Sequence, residues 1–209
     1  MLYRKKQVAY GASEERLSRL IEMRLMDGAD KKDIDERIWD LFGEKWCVVF
    51  TDLSGFSKKT AKFGIIHFIQ TIFESERLLT PIIESHDGIL LKQDGDSMMI
   101  IYRNLEKGID SCVNMMKVLK EYNETKPEEE DILLCVGIGY GDILRIGDSD
   151  AFGKELNFAA KLGEDIAKSQ EILVTLAVKD NLVYCDEYDF ESMDDRPIGL
   201  ASSFKLIYK

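Results

Sequence analysis

Trp46-Cys47-Val48-Val49-Phe50-Thr51-Asp52-Leu53-Ser54-Gly55-Phe56 opens the stretch whose reading decides the fold. Gly88-Ile89-Leu90-Leu91-Lys92-Gln93-Asp94-Gly95-Asp96-Ser97-Met98-Met99-Ile100-Ile101-Tyr102 closes it. The first piece reads as an apolar strand that runs into an aspartate and then a Ser-Gly turn. The second reads as a hairpin with two apolar arms and Asp94-Gly95 at its tip, among the strongest two-residue hairpin signals. An apolar helical stretch lies between them. Strand, helix, strand and hairpin return make the first half of a split βαβ unit.

A right-handed crossover leaves the first and second strands parallel. The return strand of the hairpin is antiparallel to both and slots between them. The end of the first strand then lies beside the start of the third. Asp52 ends the one and Asp96 begins the other, so two carboxylates distant in sequence are expected side by side at one sheet edge. Left alone they repel, and one is pushed toward its protonated form. A divalent cation keeps both ionised, and all-oxygen ligation favours Mg2+ or Mn2+ over zinc. The plainer alternative is a pair of strand-end aspartates that cap turns.

The rest of the chain sets bounds. Its 209 residues suffice for one well-packed domain with an accessory segment, or at most two small domains. Hydrophobic residues at 45% and charged residues at 32% are ordinary for a soluble globular protein. A net charge of −11 argues against a general nucleic-acid surface. Cys47, Cys112, Cys135 and Cys185 show no paired CxxC spacing. The first three sit in apolar runs and read as small core residues, which suits a reducing, cytoplasmic setting. No apolar run reaches the roughly 18 residues of a membrane span. Met1-Leu2-Tyr3-Arg4-Lys5-Lys6 is basic, but no apolar core follows it, so no signal peptide is expected.

In chain order, helices are predicted over 13–27 and 33–42, with Ile34, Ile38, Trp39, Leu41 and Phe42 inward in the second. They form a helical hairpin over the main domain or, alternatively, a dimerising or signal-receiving element. A long helix from 58 to 84 shows Phe63, Ile66, Ile69, Phe73 and Ile83 near helical spacing, and Pro81 suggests a kink or a break. Another helix spans 106–122. Gly137, Gly139 and Gly141 share the spacing of a dinucleotide fingerprint but lie inside strand-like sequence, so they read as close backbone approach in a hairpin. A helix is expected over 153–168, a strand over 172–175 and a closing strand over 204–208. His67 and His86 have no metal spacing and read as structural or solvent-facing. Met98 and Met99 read as strand core. The whole reads as one α+β domain over residues 45–209 with a ferredoxin-like (palm-like) βααββαβ core, preceded by a helical segment over 1–44.

From Trp46 to Tyr208 the chain resembles the catalytic domain of class III adenylate and guanylate cyclases. Phe50-Thr51-Asp52-Leu53-Ser54-Gly55-Phe56-Ser57 is similar to that family's first metal motif. Lys92 and Gly95-Asp96 resemble the lysine and glycine-aspartate around its second metal ligand. Val136-Gly137-Ile138 with Gly141 resembles its central strand. Gly153 and Leu156-Asn157-Phe158-Ala159 resemble its last catalytic motif, and Ile172-Leu173-Val174-Thr175 the strand after it. Five blocks in the right order are far more specific than any one.

The resemblance implies conversion of ATP to cyclic AMP and pyrophosphate at a homodimer interface. Two Mg2+ or Mn2+ ions would be held by Asp52, Asp96 and the backbone carbonyl of Leu53. Backbone N–H groups of the turn Ser54, Gly55, Phe56 would meet the phosphates. Lys92 and Asp150 would select adenine, Asn157 would orient the ribose, and Lys161 would face the transition state. The plainer readings are a solvated hairpin lysine for Lys92, a helix cap for Asp150 and an i,i+4 partner of Asp165 for Lys161. Metals and base pocket would come from opposite chains.

Three departures bear on activity. Lys161 stands where the family has an arginine, and it keeps the charge but loses the planar donor fork. Ile198 precedes Gly199 where a phosphate-binding lysine is expected, with Arg196 or Lys205 as substitutes. Cys135 stands where some members have an arginine. The segment from Gly141 to Asn157, which often carries a dimerisation arm, looks short. A degenerate, nucleotide-sensing or protein-binding domain is therefore the alternative. A wider palm-like phosphotransferase, such as a diguanylate cyclase, is disfavoured by the Asn157 motif and by the absence of a Gly-Gly-Asp/Glu-Glu-Phe sequence.

Overall fold

A computed structural model describes residues 13–182, 187–194 and 197–208, with residues 56–58 described by backbone alone. Cys185 and Arg196 lie outside the described residues. β1 (Gly43–Leu53) is the central strand. Its Cys47, Val48 and Val49 are fully buried because the strand is paired on both edges and covered on both faces. β3 (Ser97–Tyr102) and β4 (Leu134–Ile146) flank it, both antiparallel. β2 (Ile89–Asp94) pairs with β3 through the expected tight turn, where Gly95 takes φ +60°. β3 therefore lies between β1 and β2, as the crossover argument requires.

The sheet continues through β6 (Ile172–Thr175), parallel to β4, to β8 (Ser203–Tyr208) and the edge strand β7 (Tyr188–Met193). A short β5 (Asp150–Phe152) folds back on the end of β4. On one face α4 (Ile65–Ser85), α5 (Leu105–Glu124) and α7 (Leu176–Asn181) enclose the main core around Leu79, Ile100, Ile109, Met115 and Val178. On the other face α6 (Lys154–Lys161) sets Leu156 against Trp46, Val48, Met99 and Ile101. The fold is α+β with a βααββαβ core. Met98 and Met99 are both buried, facing opposite sides of the sheet. Cys47, Cys112 and Cys135 are buried and unbonded. His67 and His86 contact the backbone carbonyls of Glu129 and Ile82.

Four expectations need correction. The long helix is indeed broken, but at Gly64, not at Pro81. α3 (Phe56–Phe63) ends there because Gly64 takes φ +89° while its N–H reaches the carbonyl of Thr60. Pro81 sits inside a continuous α4. Ile66, Ile69 and Phe73 are exposed, and α4 buries Phe68, Thr71, Ser75, Leu79, Ile82 and Ile83 instead. On α2 (Lys31–Phe42), Ile34, Ile38 and Phe42 turn inward, while Trp39 and Leu41 face solvent.

The fourth correction concerns the glycines. Gly137, Gly139 and Gly141 mark close approach, but along one long strand beneath a helix, not in a hairpin. A Cβ at Gly137 would lie 2.1 Å from the carbonyl oxygen of Ala159, and one at Gly139 would lie 2.4 Å from that of Glu155. α6 thus rests directly on the β4 backbone. It gives way after Lys161 to a π turn, Leu162–Ile166, in which a Cβ at Gly163 would lie 2.8 Å from the β1 carbonyl oxygen of Phe50.

α1 (Ser13–Leu25) and α2 pack together on the far end of β4 through Leu20, Ile34, Ile38, Phe42 and Ile146. No helix among the described residues is long and apolar enough to cross a membrane.

Candidate functional site

The β1–β3 register pairs Thr51 with Met98, so the next residues, Asp52 and Ser97, face each other at the sheet end. The Ser97 hydroxyl donates to Asp52 Oδ1 at 3.2 Å. Both carboxylates are half-buried. Burial, then the neighbouring charge of Asp96, lifts the Asp52 carboxyl above its ordinary range against opposing hydrogen bonds from Ser97 and Leu53. Burial likewise raises Asp96, against hydrogen bonds from its own and Leu53's backbone N–H. Two half-buried carboxylates that resist ionisation and both accept from the Leu53 N–H offer hard oxygen donors of the kind Mg2+ or Mn2+ takes. Among the described residues no cluster of three or more His, Cys, Asp or Glu is arranged to hold a metal.

Immediately after Leu53 the chain turns into α3. Gly55 caps it at φ +89°, a conformation that favours glycine. The Ser54 N–H is engaged by the Leu133 carbonyl at 2.8 Å. This leaves the N–H groups of Gly55, Phe56 and the following turn as the donors at the helix start.

Beside the carboxylates, on the α6 face of the sheet, lies a cavity of about 350 Å3. Lys92, Asp150 and Asn157 all line it, with Phe50, Met98, Met99, Phe152 and Leu156 as its apolar part. Lys92 Nζ stands 4.0 Å from Asp150 Oδ2. Asp150 Oδ1 accepts from the backbone N–H of Ala151, which orients the carboxylate. Asp150 is therefore a strand residue and does not cap α6; Gly153 occupies the cap position. An exposed ion pair of this length is weak, so both groups remain available to a ligand. Ser97 lines the same cavity, which joins it to Asp52.

Lys161 ends α6 and is exposed, one helical turn beyond Asn157. Ile198 is 95% exposed and stands before Gly199 at φ +88°. Lys205 is tied to Glu171 at 2.8 Å, which keeps it from serving as a free phosphate ligand. Cys135 lies across the β1–β4 pair from Asp52, and burial together with that charge pushes its thiol up to about 11, so it stays neutral.

Two of the cavity residues that sequence reasoning did not assign to the site are instructive. Phe152 could have been found from its two-residue spacing from Asp150 in a strand. Glu164 could not, because only the π turn brings it there. Burial, then Asp52, Asp165, Asp94 and Asp96, raise its carboxyl.

A family model described as the Adenylate and Guanylate cyclase catalytic domain matches residues 43–202. This chain belongs to that family. The cyclase domain is 27% identical over 131 residues to the serine/threonine-protein kinase pkn2 of Myxococcus xanthus, a match that covers 63% of this chain and 16% of that protein. The chain spans 16% and 15% of the length of the curated relatives it matches. Among solved structures, an adenylate/guanylate cyclase/hydrolase from Silicibacter pomeroyi superposes with a TM-score of 0.64 at 21% identity, covering 78% of this chain and 95% of that one. A monomeric adenylate cyclase from Trypanosoma brucei gives 0.62 at 17% identity, over 78% and 87%. At such identities these likenesses establish the fold. The match begins with β1, so α1 and α2 lie outside the matched region.

Proposed function

We propose that this cyclase domain converts ATP to cyclic AMP and pyrophosphate. The observation that carries the reading is that one chain presents both halves of such a site, a cavity lined by Lys92, Asp150 and Asn157 and the half-buried Asp52–Asp96 pair, so that each copy of a dimer can bring both. Adenine offers an amino donor and a ring-nitrogen acceptor, which match the Asp150 carboxylate and the Lys92 ammonium. Asn157 holds the ribose, and the N–H groups of Gly55 and Phe56 receive phosphate oxygens at the start of α3. Asp52, Asp96 and the Leu53 carbonyl would hold the two Mg2+ or Mn2+ ions of such a site. When bound, such ions lower the pKa of the ribose 3′-hydroxyl and neutralise charge on the leaving group. The 3′-hydroxyl gives its proton to water, its oxygen bonds to the α-phosphorus as the α–β bridging oxygen departs with pyrophosphate, and Lys161 supplies positive charge there. The working unit is a homodimer in which the carboxylates of one copy face the base cavity of the other.

A second reading has its own support. Lys161 replaces an arginine, Lys205 is held by Glu171, and Ile198 and Cys135 bring no charge. Binding without turnover would follow if these losses dominate. A cyclase assay with ATP and with GTP in Mn2+ decides. Cyclic AMP that vanishes in Asp96→Ala supports the enzyme. If ATP stabilises the fold without product, Lys161→Arg is the informative variant. Gain of activity by about 10²-fold would place the defect at that one donor. No product from either protein, with no ATP-dependent stabilisation, would refute both readings.

A further inference from the structure

Phe152 is the largest exposed aromatic side chain bordering the cavity, 52% accessible although it belongs to a paired strand. Its position is set by the backbone. β5 pairs with β4 at Leu144–Phe152, Arg145–Ala151 and Ile146–Asp150. Side chains alternate along a strand, so Phe152 and Asp150 share one face. Ala151 takes the other, buried at 3% beneath α6, where it too borders the cavity. Both faces of β5 therefore border the cavity, Phe152 and Asp150 from the more open one.

The cavity has a polar edge and apolar sides. Lys92 and Asp150 supply the edge; Phe50, Met99 and Leu156 join Phe152 on the sides. A ligand that satisfies both must be flat, apolar on its faces and hydrogen-bonding along its rim. A purine has that shape, whereas a phosphate or a free sugar would leave the ring wet. We propose that Phe152 is the platform on which the face of the bound purine rests, while Lys92 and Asp150 read its edge. Because a π face does not distinguish adenine from guanine, Phe152 contributes affinity for both and selectivity for neither. This rests on the nucleotide reading above.

The test measures binding by calorimetry, using 3′-deoxy-ATP and 3′-deoxy-GTP, which have no 3′-hydroxyl to attack, and inorganic tripolyphosphate as a probe without a base. Phe152→Ala should weaken both nucleotides about tenfold and leave tripolyphosphate unchanged. Phe152→Trp should retain nucleotide affinity, which shows that a flat ring, not local folding, is what matters. Lys92→Ala should instead change the ratio between the two nucleotides. Unchanged nucleotide affinity in Phe152→Ala would overturn the platform while leaving the Lys92–Asp150 reading intact. Equal losses for nucleotide and tripolyphosphate would also overturn it, since the effect would then not be on the base. A wild-type protein that bound neither nucleotide would sink the nucleotide reading and the platform with it.

Discussion

Asp52 is where the physics of the site is most concentrated. Its carboxyl is raised by burial and by Asp96, so the folded state takes up a proton more readily than the unfolded chain. For a raised acid, no penalty exists below the ordinary carboxylate range, where both states are protonated. The penalty grows as pH rises and is complete above the folded-state value. At neutral pH the metal-free protein is therefore held together less well than its packing allows. Asp52→Asn keeps an oxygen for the Ser97 hydroxyl and removes the repulsion. We expect it to melt higher than wild type at pH 7 without metal, with the difference closing on acidification below about pH 4. Added Mn2+ should stabilise wild type and not the variant. Scanning calorimetry across pH, with and without Mn2+, checks both; a variant that Mn2+ still stabilises equally would remove Asp52 from the metal site.

At the scale of elements, the contact between α6 and β4 sets the position of Asn157 and Lys161. Side chains are absent at Gly137 and Gly139, so the helix backbone rests on the strand backbone. A Cβ at Gly137 would meet main-chain atoms, which cannot rotate away: Ala159 O at 2.1 Å and Gly163 N at 2.4 Å. Gly137→Ala should cost about 3 kcal/mol, near the upper end for overpacking, and lower the Tm by about 10 °C. It should also reduce turnover more than it reduces metal affinity, because α6 moves and the β1–β3 end does not. The glycine spacing was visible in the sequence, and so was close approach; the partner was not, since nothing local says whether helix or strand lies opposite. The same limit explains α4. It carries apolar residues on two sides, and periodicity alone chose Ile66, Ile69 and Phe73 over the face that packs. The β1–β3 geometry was legible because a two-residue turn and a fixed crossover hand leave little freedom. Glu164 was illegible because a π turn interrupts the helical count.

In the whole molecule, the N-terminal helices and the base cavity meet at one turn. α1 and α2 bury Ile146, the last residue of β4, among Leu20, Ile34, Ile38 and Phe42. The chain then turns through Gly147 at φ +60°, near Ser13, and the Ser149 hydroxyl donates to Glu14 Oε1 at 2.6 Å. Asp150 is the next residue. Arg145, stacked 5.0 Å from the Trp46 ring centroid, bonds the Gly147 carbonyl and Asp148 and so stiffens the same turn. Loosening the helices should thus loosen Asp150 while leaving Asp52 and Asp96 untouched. Ile38→Ala removes a buried side chain at this junction, a change that costs about 2–5 kcal/mol when the cavity does not collapse. Under the proposed ATP-cyclase reading it should raise KM for ATP and bring the KM values for ATP and GTP closer together, with Mn2+ affinity unchanged. Ser149→Ala removes the hydroxyl's contacts with Glu14 and with the Ile146 carbonyl, worth about 1 kcal/mol, and should shift KM in the same direction by at most a few-fold. Steady-state kinetics on both nucleotides, with Mn2+ titrations alongside, separates the possibilities. A lower melting temperature in Ile38→Ala with KM and selectivity intact would make the helices a cover for the end of β4, with no hold on the base cavity.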